Sequence, residues 1–474
     1  MQIRSTLNKM ELTALLHKQK SAFKKNPPNI KMRLDSLKKL SDLVDQYKEE
    51  LMEAVNNDFG LRAKEETLFL EIFPLQDEIR HAMKNLRTWT KRRYVQGAWF
   101  LLPSSAYYQY QALGSVGIMG AWNYQVLLTL SPLVDALAAG NHAILKPSEI
   151  APASAEVIQK MINSNFPEEY IHCVTGDSEL AQDFSSLPFD HLFFTGSTRI
   201  GKKIMAAAAP KLTPVTLELG GKSPAIIHNS YSVKRAAKRI MAGKLFNCGQ
   251  TCVAPDYVIM SSELNAEFEE EVQKAVEKFY PDISENKQYS RIINSDHLER
   301  LRGLLKDAEN KGAKIIELSN AEVNKPDFMA PKLVFNASME MELMQEEIFG
   351  PILPVLNLES VEEAIEYIND KPKPLALYYF DNKKSRINRL LKNTLSGGVT
   401  INDTIYHLAQ HNLPFGGVGD SGIGHYHGFD GFKTFSKKRA VMHQKNFAVS
   451  DFLHPPFTDL KKKLIRFMGK ITKV

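Results

Sequence analysis

The feature that most constrains the fold is a regular alternation of short apolar runs with helical segments, which begins at Leu113. A first region of this kind ends near residue 227, and a second runs from Ala254 to Asn402. Strands that alternate with helices predict a parallel sheet covered on both faces. Because 474 residues are too many for one ordinary core, we expect two such α/β domains. The apolar runs are LGSVGIM, HAILK, YIHCV, HLFFT, VTLEL and PAII, then YVIM, AKIIEL, PVLNL, ALYYF and GGVTIN.

The part of the chain before Arg93 has a different pattern. Apolar residues such as Leu37, Leu40 and Val44 recur at helical spacing with charged residues between them, which predicts helices. The N-terminus lacks the continuous apolar core of a secretory signal. The stretch 94–134 carries no charge, but its glycines and prolines favour buried strands over a membrane span.

Composition excludes several classes of protein. A charged fraction of 24% with 43% hydrophobic residues is that of an ordinary globular protein. The net charge of +6 comes from six basic residues among the last fourteen, and the other 460 residues are balanced, so nucleic-acid binding is not expected. So few cysteines (Cys173, Cys248 and Cys252) predict a cytoplasmic protein without disulfides.

The loop GSTRIGKK, residues 196–203, follows an apolar run and has almost the spacing of an ATP-binding P-loop. A P-loop ends in Ser or Thr, whose hydroxyl ligates magnesium, and Lys203 cannot do this. The dinucleotide fingerprint G-x-G-x-x-G is absent, since Gly114, Gly117 and Gly120 are spaced differently. On the motif alone, a phosphate site of another kind and a plain structural loop both remain open.

Three residues could carry chemistry, and each has an ordinary alternative. Cys252 follows a polar, flexible Gly-Gln-Thr approach that suits an exposed thiol, although a lone cysteine is more often a small buried residue. Glu218, at the end of an apolar run, is either a general base or an ion-pair partner. Asn123, in GAWNY, is either a turn former or a hydrogen-bond donor to an oxyanion. No cluster at ligand spacing accompanies the cysteines, so no metal site is expected.

Taken in order, GAWNY, ILKPSE, FTGSTRIG, LELGGKSP, GQTC and EEIFGP resemble the aldehyde dehydrogenase superfamily. The ending LPFGGVGDSGIGHYHGFDGFKTFSKKR is similar to its class 3 branch. ALAAGNHAILKPSE, AGKLFNCGQTCVAPDY and SGGVTIND are similar to coniferyl-aldehyde-dehydrogenase-like members. The resemblance covers about residues 10–457. It implies the family fold: a Rossmann-like NAD-binding domain, an α/β catalytic domain and a small β oligomerisation arm.

The resemblance implies a role for particular residues. Cys252 matches the nucleophile, Glu218 the general base, and Asn123 the side-chain donor to the oxyanion. Gln125 departs from the family pattern, in which proline follows Asn-Tyr, and we expect it to modulate the mouth of the substrate channel. The positions matching cofactor contacts are Lys146 and Glu149 for the adenine ribose, Gly196, Ser197 and Gly201 for the pyrophosphate turn, Glu347 and Phe349 for the nicotinamide side, and Trp122 and Leu219.

The implied reaction is oxidation of an aldehyde to a carboxylic acid with NAD, or alternatively NADP. The implied substrates are aromatic, coniferyl-like aldehydes or medium-chain aliphatic ones. Three other functions compete: a P-loop NTPase, a non-catalytic protein on the same scaffold, and a thiol hydrolase. The hydrolase would pair Cys252 with a histidine, and the candidates are His411, His425 and His427.

The resemblance also implies a domain division and a homodimer. We assign 1–93 and 113–220 to the NAD-binding domain, 221–410 to the catalytic domain, and 94–112 with 411–457 to the oligomerisation arm and C-terminal segment. YYQYQ (107–111) is a candidate arm strand with the region 440–445 as its neighbour. Residues 458–474 have the pattern of a short basic amphipathic helix, which predicts either a solvated terminal helix or weak contact with anionic membranes.

Overall fold

The computed structural model describes residues 7–319 and 327–472, which form three sheets with helices packed on their faces. A six-stranded and a seven-stranded sheet are each parallel apart from one antiparallel edge strand. A three-stranded antiparallel sheet stands beside them. The predicted fold, two α/β units with a small β arm, is therefore confirmed. Lys473, one of the basic tail residues, lies outside the described residues.

Each apolar run of the sequence forms a strand. The central strands of both large sheets are buried along their whole length, as expected when helices cover both faces. The strands are β1 (Arg93–Val95), β2 (Ser105–Ala112), β3 (Ser115–Met119), β4 (His142–Lys146), β5 (Ile171–Cys173), β6 (His191–Thr195), β7 (Val215–Glu218), β8 (Pro224–Ile227), β9 (Tyr257–Met260), β10 (Lys314–Glu317), β11 (Lys332–Phe335), β12 (Ile352–Asn357), β13 (Ala376–Phe380), β14 (Gly398–Ile401), β15 (Gly422–Ile423) and β16 (Ser436–His443).

The predicted N-terminal helices are present and cover the six-stranded sheet. Leu12, Leu15 and Leu16 of the first helix pack with Ile144 of β4 in one buried cluster. The helices are α1 (Lys9–Lys25), α2 (Ile30–Gln46), α3 (Lys48–Phe59), α4 (Lys64–Thr67), α5 (Phe73–Trp89), α6 (Gln125–Ala139), α7 (Pro152–Asn163), α8 (Ser178–Ser185), α9 (Thr198–Ala208), α10 (Val233–Leu245), α11 (Asn265–Phe279), α12 (Ser295–Asn310), α13 (Glu342–Gln345), α14 (Val361–Asn369), α15 (Lys384–Asn393), α16 (Gly428–Thr434) and α17 (Asp459–Ile471).

Shorter helical segments join these elements. They are a π-helical turn at Leu68–Ile72 between α4 and α5, and 3₁₀ turns at Trp99–Leu101, Ala209–Lys211, Phe246–Gly249, Ser262–Leu264, Tyr406–Ala409 and Val449–Leu453.

Strand order brings the motif residues to one edge. The six-stranded sheet has the order β15-β7-β6-β3-β4-β5, and the seven-stranded sheet has the order β10-β11-β12-β9-β8-β13-β14. Asn123 follows β3, Lys146 ends β4, Gly196 follows β6 and Glu218 ends β7. Ligands of open α/β sheets bind beyond the carboxyl ends of the strands, so these four residues mark the candidate site.

The C-terminal region partly corrects the predicted division. Residues 411–457 were assigned entirely to the arm and C-terminal segment, yet β15 pairs with β7 of the six-stranded sheet and α16 packs against α6. The glycines around β15 permit this close approach, since a side chain on Gly422 would collide with the Leu217 carbonyl. The predicted arm pairing is confirmed: β2 and β16 are antiparallel neighbours, with Tyr107 opposite Val441.

Candidate active site

Glu218 is the last residue of β7, and its carboxyl group is buried. The strand is fixed on both sides, with Thr195 of β6 and Gly422 of β15 opposite this residue. Neither carboxyl oxygen has a hydrogen-bond partner within the described part of the chain. Burial raises the pKa of the carboxyl well above its usual range. An ion pair, the ordinary alternative for Glu218, is therefore not found among the described residues.

Cys252 lies at the end of a strained turn, residues 246–252. Asn247, Cys248 and Gly249 have successive φ angles of 50°, 55° and 77°. Such a conformation costs a residue other than glycine about 1–3 kcal/mol and persists only where its surroundings enforce it. At Gly249 a side chain would collide with the carbonyl of Gly350, so the close approach itself requires glycine.

Buried hydrogen bonds enforce the shape of this turn. The Asn247 N–H donates to Glu66 Oε1 at 2.7 Å. The Gln250 amide donates to the Asn247 carbonyl at 2.9 Å and accepts from the Ile293 N–H at 2.9 Å. The Tyr124 hydroxyl lies 2.6 Å from the Thr251 hydroxyl. The residues that lead to Cys252 are thus fixed, which limits where its thiol can lie.

Asn123 is joined to the same turn. Its Nδ2 donates to the Gln250 carbonyl at 3.1 Å. Its own carbonyl accepts from Asn247 Nδ2 at 2.9 Å and from Arg62 Nη1 at 3.2 Å. An asparagine amide has two N–H donors, so the bond to Gln250 leaves the second one for a ligand. The turn-former and donor interpretations of Asn123 are therefore compatible.

The thiol lies among carboxyl groups. Burial raises the pKa of the partly buried Cys252 to about 12, with further contributions from the charges of Glu347 and Glu218. The main-chain N–H groups of Cys252 and Val253 act in the opposite direction and lower this pKa. Burial also raises the pKa of Glu347 to about 8. The structure therefore brings the proposed nucleophile, the proposed base and the EEIFGP carboxyl into electrostatic contact.

Lys146 and Glu149 form a pair at the end of β4. The Lys146 side chain is buried, and its Nζ lies 2.7 Å from Glu149 Oε2. Glu149 is about one-third exposed, which keeps its carboxylate within reach of a ligand. A buried cation beside a carboxylate offers both a donor and an acceptor, the combination that a ribose diol requires.

The GSTRIGKK loop forms a tight turn into α9. Ser197 is the N-cap residue: its carbonyl accepts from the N–H groups of Ile200 and Gly201 at 3.0 and 2.8 Å. A Cβ on Gly201 would lie 2.7 Å from a methyl of Leu219, so glycine allows the helix to approach the strand end. A side chain on Gly196 would meet the Phe194 ring at 2.5 Å. A helix N-terminus at a strand end is a favourable place for a pyrophosphate group.

Trp122, Phe349 and Glu347 lie on the other side of the site. The Trp122 and Phe349 rings make an edge contact with centroids 5.4 Å apart, and Phe349 has a φ of 52°. The Glu347 carboxyl lies against Gly220, where a Cβ would collide with it, and accepts from the Gly221 N–H. The residues predicted to contact a dinucleotide thus line the edge from Lys146 to Phe349, and this arrangement fits such a cofactor.

Gln125 corrects the sequence-based expectation. We expected its amide at the mouth of the substrate channel, but Gln125 is only 1% exposed. Its side chain bonds to the main chain of Ser148 and Ala151, in the segment that follows β4. The amide therefore faces the Lys146–Glu149 side of the site.

The buried ion network that supports Asn123 was not predicted from the sequence. Arg62 Nη1 lies 2.9 Å from Glu71 Oε1, and Arg62 Nε lies 3.5 Å from Glu66 Oε1. Glu71 Oε2 accepts from the Val126 N–H, in the first turn of α6, at 2.9 Å. No motif surrounds these residues, so only their convergence in the fold reveals them.

The remaining chemical groups have other roles. Cys248 is buried, and its sulfur lies 3.1 Å from the Tyr289 hydroxyl. His411 Nε2 lies 2.8 Å from an Asp77 oxygen, and the His427 ring stacks on Phe415. His411 and His427, two of the three histidines considered for a Cys-His hydrolase, therefore have other partners. Within residues 7–319 and 327–472, no cluster of three His, Cys, Asp or Glu side chains could hold a metal.

The fold and site define the class: an α/β enzyme with a cysteine and a buried carboxyl group, without a partner among the described residues, at the edge of a Rossmann-like sheet. Residues 5–441 match the Aldehyde dehydrogenase family, and the chain belongs to that family. It is therefore an oxidoreductase that acts on aldehydes.

Individual relatives agree. The chain is 45% identical over 457 residues to a probable coniferyl aldehyde dehydrogenase of Pseudomonas aeruginosa, covering 96% of this chain and 95% of the relative. It is 39% identical to the 4,4'-diaponeurosporen-aldehyde dehydrogenase of Staphylococcus aureus, covering 90% and 93%. The solved substrate-bound state of Staphylococcus aureus AldH superimposes with a TM-score of 0.92 at 38% identity, covering 98% of this chain and 100% of that one.

Proposed function

We propose that this protein oxidises aldehydes to carboxylic acids with NAD, or alternatively NADP, through a thiohemiacetal and a thioester on Cys252. One observation carries the proposal: three residues distant in sequence share one site. Asn123 bonds to the turn that ends at Cys252, and the charge of Glu218 reaches the Cys252 thiol. A non-catalytic protein would have no need to maintain the strained turn.

The side chains account for both halves of the reaction. The Cys252 thiolate adds to the aldehyde carbon, and the resulting oxyanion accepts hydrogen bonds from the Asn123 amide and the Cys252 N–H. Loss of hydride converts the thiohemiacetal into a thioester. Glu218 then takes a proton from water, which attacks the thioester and releases the acid and the thiol. Because burial raises the pKa of Glu218, this carboxylate is a stronger base than an exposed one.

The cofactor is assigned to the edge described above. Lys146 and Glu149 would hold the adenine ribose. The turn at Gly196 and Ser197 would hold the pyrophosphate, and Gly201 would allow α9 to pack closely there. Glu347 and Phe349 would contact the nicotinamide side, and Trp122 and Leu219 would make further cofactor contacts. When bound, the dinucleotide supplies the hydride acceptor.

Apolar aldehydes fit the surroundings of the turn. Phe69 is half-exposed and lies 6.3 Å, between ring centroids, from Phe246 at the start of the nucleophile turn. Leu68 and Phe73 beside it are also exposed. We therefore propose aromatic, coniferyl-like or medium-chain aliphatic aldehydes, and the name of the Pseudomonas aeruginosa relative agrees with the aromatic class.

A substrate panel tests the proposal. Purified protein is mixed with aromatic and aliphatic aldehydes, each with NAD and with NADP, and the reduced nicotinamide is followed by absorbance. We expect reduction that depends on aldehyde and is abolished by Cys252→Ala. Aldehyde-dependent reduction that survives in this variant would contradict the mechanism, and ATP hydrolysis without aldehyde oxidation would favour the P-loop alternative.

We also propose a cytoplasmic homodimer. The arm sheet β1-β2-β16 is three strands wide, with the side chains of Tyr94, Val95 and Met442 exposed on it. Small exposed sheets of this kind gain stability when a second copy covers them. Light scattering at micromolar concentration should give twice the mass of one chain; a monomer or tetramer would refute the assignment.

We propose that the C-terminal tail makes weak contact with anionic membranes. The predicted helix is present as α17, and Leu460, Phe467 and Ile471 on it are 78%, 60% and 56% exposed. No described helix is long and apolar enough to cross a bilayer. An exposed apolar face with five described basic residues suits binding at the membrane interface, and each basic residue near an anionic surface contributes about 1 kcal/mol.

Sedimentation with anionic and neutral vesicles tests this role. The full chain should pellet with anionic vesicles more than a chain ending at Asp459 does. Equal pelleting would exclude this role.

A further inference from the structure

Gln125 joins two parts of the candidate site. It is the first residue of α6, two positions after Asn123, and it is buried. Its Nε2 donates to the Ser148 carbonyl at 3.0 Å and to the Ala151 carbonyl at 3.1 Å. Its Oε1 accepts from the Ser148 N–H at 3.1 Å. One side chain thus satisfies both main-chain groups of Ser148 and the carbonyl of Ala151, three residues further along the chain.

The segment that Gln125 holds carries the Lys146–Glu149 pair. Ser148 stands between these two residues, and its main chain sets where the Glu149 carboxylate lies relative to Lys146 Nζ, which is 2.7 Å away. The far end of the segment is fixed independently, because the Asp58 carboxylate accepts from the N–H groups of Ala153 and Ser154 at 2.8 and 2.9 Å. Gln125 therefore holds the part of this segment nearer Lys146, and Asp58 holds its far end.

We propose that Gln125 is a positioning residue for the adenosine half of the dinucleotide. It fixes the path of residues 147–151 so that Lys146 and Glu149 face the ribose diol together. The inference rests on the proposed cofactor role of that pair. It also links residues 147–151 to Asn123, because Gln125 is the first residue of α6 and lies two positions after Asn123.

The physical effect of losing this amide follows from the contacts. Without Gln125, the Ser148 and Ala151 carbonyls and the Ser148 N–H lose their protein partner. Leaving such main-chain groups unsatisfied is costly, so they form hydrogen bonds to water or to other groups instead. The segment then spends part of its time in other arrangements. If the competent arrangement falls to about one-tenth of the population, the apparent dissociation constant rises about tenfold.

The chain contains a matched control. Gln19 of α1 is also a fully buried glutamine, and its Nε2 donates to the carbonyls of Ala143 and Glu168 at 3.0 Å each. Those carbonyls lie at the start of β4 and before β5. These are the amino ends of the strands, whereas the candidate site lies at their carboxyl ends. Gln19→Leu therefore removes an equally buried amide without touching the candidate site.

The experiment measures NADH binding by fluorescence titration, without aldehyde and without turnover. We expect Gln125→Leu to weaken NADH binding about tenfold, while Gln19→Leu binds as the unsubstituted protein does, although both lower the melting temperature. Gln125→Glu is a second variant of the same shape. It keeps the acceptor for the Ser148 N–H, but it replaces Nε2 with an oxygen that faces the Ser148 and Ala151 carbonyls. It should weaken binding in the same direction.

Turnover distinguishes positioning from general damage. In Gln125→Leu the KM for NAD should rise while kcat at saturating NAD and the KM for the aldehyde stay within about twofold. Unchanged NADH affinity in both folded Gln125 variants would overturn the proposal, and so would an equal loss in Gln19→Leu. A change confined to the KM for the aldehyde would support the original expectation that Gln125 acts at the substrate channel. Absence of binding of both NADH and NADPH to the unsubstituted protein would instead refute the proposed function itself.

Discussion

Replacing Arg62 with methionine should damage the protein in a way that depends on pH. The Arg62 side chain is fully buried and pairs with Glu71 and Glu66, whose side chains are 0% and 8% exposed. Its guanidinium also lies over the Tyr124 ring at 4.8 Å and donates to the Asn123 carbonyl. Methionine fills much of the same volume but leaves two buried carboxyl groups without their cation.

The magnitude follows from these contacts. Removing one partner of a buried ion pair costs about 3–5 kcal/mol, because the other charge stays buried. At about 2.1 cal/mol/K per residue, the unfolding entropy of 474 residues is about 1 kcal/mol/K. If the chain unfolds as one unit, the melting temperature should fall by about 3–5 °C at neutral pH.

The pH dependence has a definite sign. Burial already raises the pKa values of Glu66 and Glu71, and the charge of Arg62 opposes that rise. Without Arg62 both pKa values rise further, so the folded variant binds more protons than the unfolded chain over a wider pH range above the usual carboxyl pKa. Its stability then falls as the pH rises through that range. The difference in melting temperature from the unsubstituted protein should be larger at pH 8 than at pH 5.5.

Thermal unfolding by circular dichroism at the two pH values is the assay. Arg389→Met is the control, since Arg389 pairs with Glu362 at 2.9 Å but is 59% exposed, and exposed pairs contribute about 0–1 kcal/mol. Adding Glu71→Gln to Arg62→Met removes one stranded charge and should recover part of the loss at pH 8. Equal losses for Arg62→Met and Arg389→Met, or a loss that does not change with pH, would show that the reasoning about buried charge is wrong.

Three further predictions concern the catalytic groups. Cys252→Ser should abolish aldehyde oxidation yet retain NADH binding, because an alcohol provides far less nucleophilic anion than a thiol; substantial oxidation in steady-state assays would remove Cys252 from its role. Glu218→Gln should give a burst of reduced nicotinamide near one equivalent in stopped flow, then slow turnover, since an amide cannot accept the proton from water; normal turnover would mean that another base acts. Iodoacetamide should label Cys252 before the fully buried Cys173 and Cys248, at a rate that rises with pH because the pKa of Cys252 is raised to about 12 and alkylation needs the thiolate. Peptide mass spectrometry should locate the label, and preferential labelling of Cys248 would contradict the assignment.

The sequence predicts the sheets well because their pattern is local. Each apolar run is a strand, since strands covered on both faces need continuous apolar residues, and runs such as HAILK and HLFFT provide them. The residues of the candidate site were predicted from ordered motifs. The structure adds that Glu218 has no ion-pair partner among the described residues, which its position at a strand end could not decide.

The contacts that cross between segments could not be predicted in this way. Arg62 bonds to Asn123 across 61 positions, with no motif or periodicity to link them. Gln125 stood out as a departure from the family pattern, but the partner of its amide depends on where the segment after β4 passes. The placement of β15 beside β7 was missed for the same reason: two residues of a glycine-rich loop carry no strand pattern of their own.

The pairing of β15 with β7 also bears on how the protein is made. Gly422 lies opposite Glu218, yet the ribosome synthesises it roughly two hundred residues later. Until that loop emerges, β7 is an open edge strand with unpaired N–H and C=O groups, and the carboxyl of Glu218 stands at this edge without its neighbour. The strand that carries Glu218 therefore gains its second neighbour late in biosynthesis, after the segment containing Cys252 has been synthesised. A nascent chain halted before residue 422 should therefore be inactive and prone to pair through this edge with other chains.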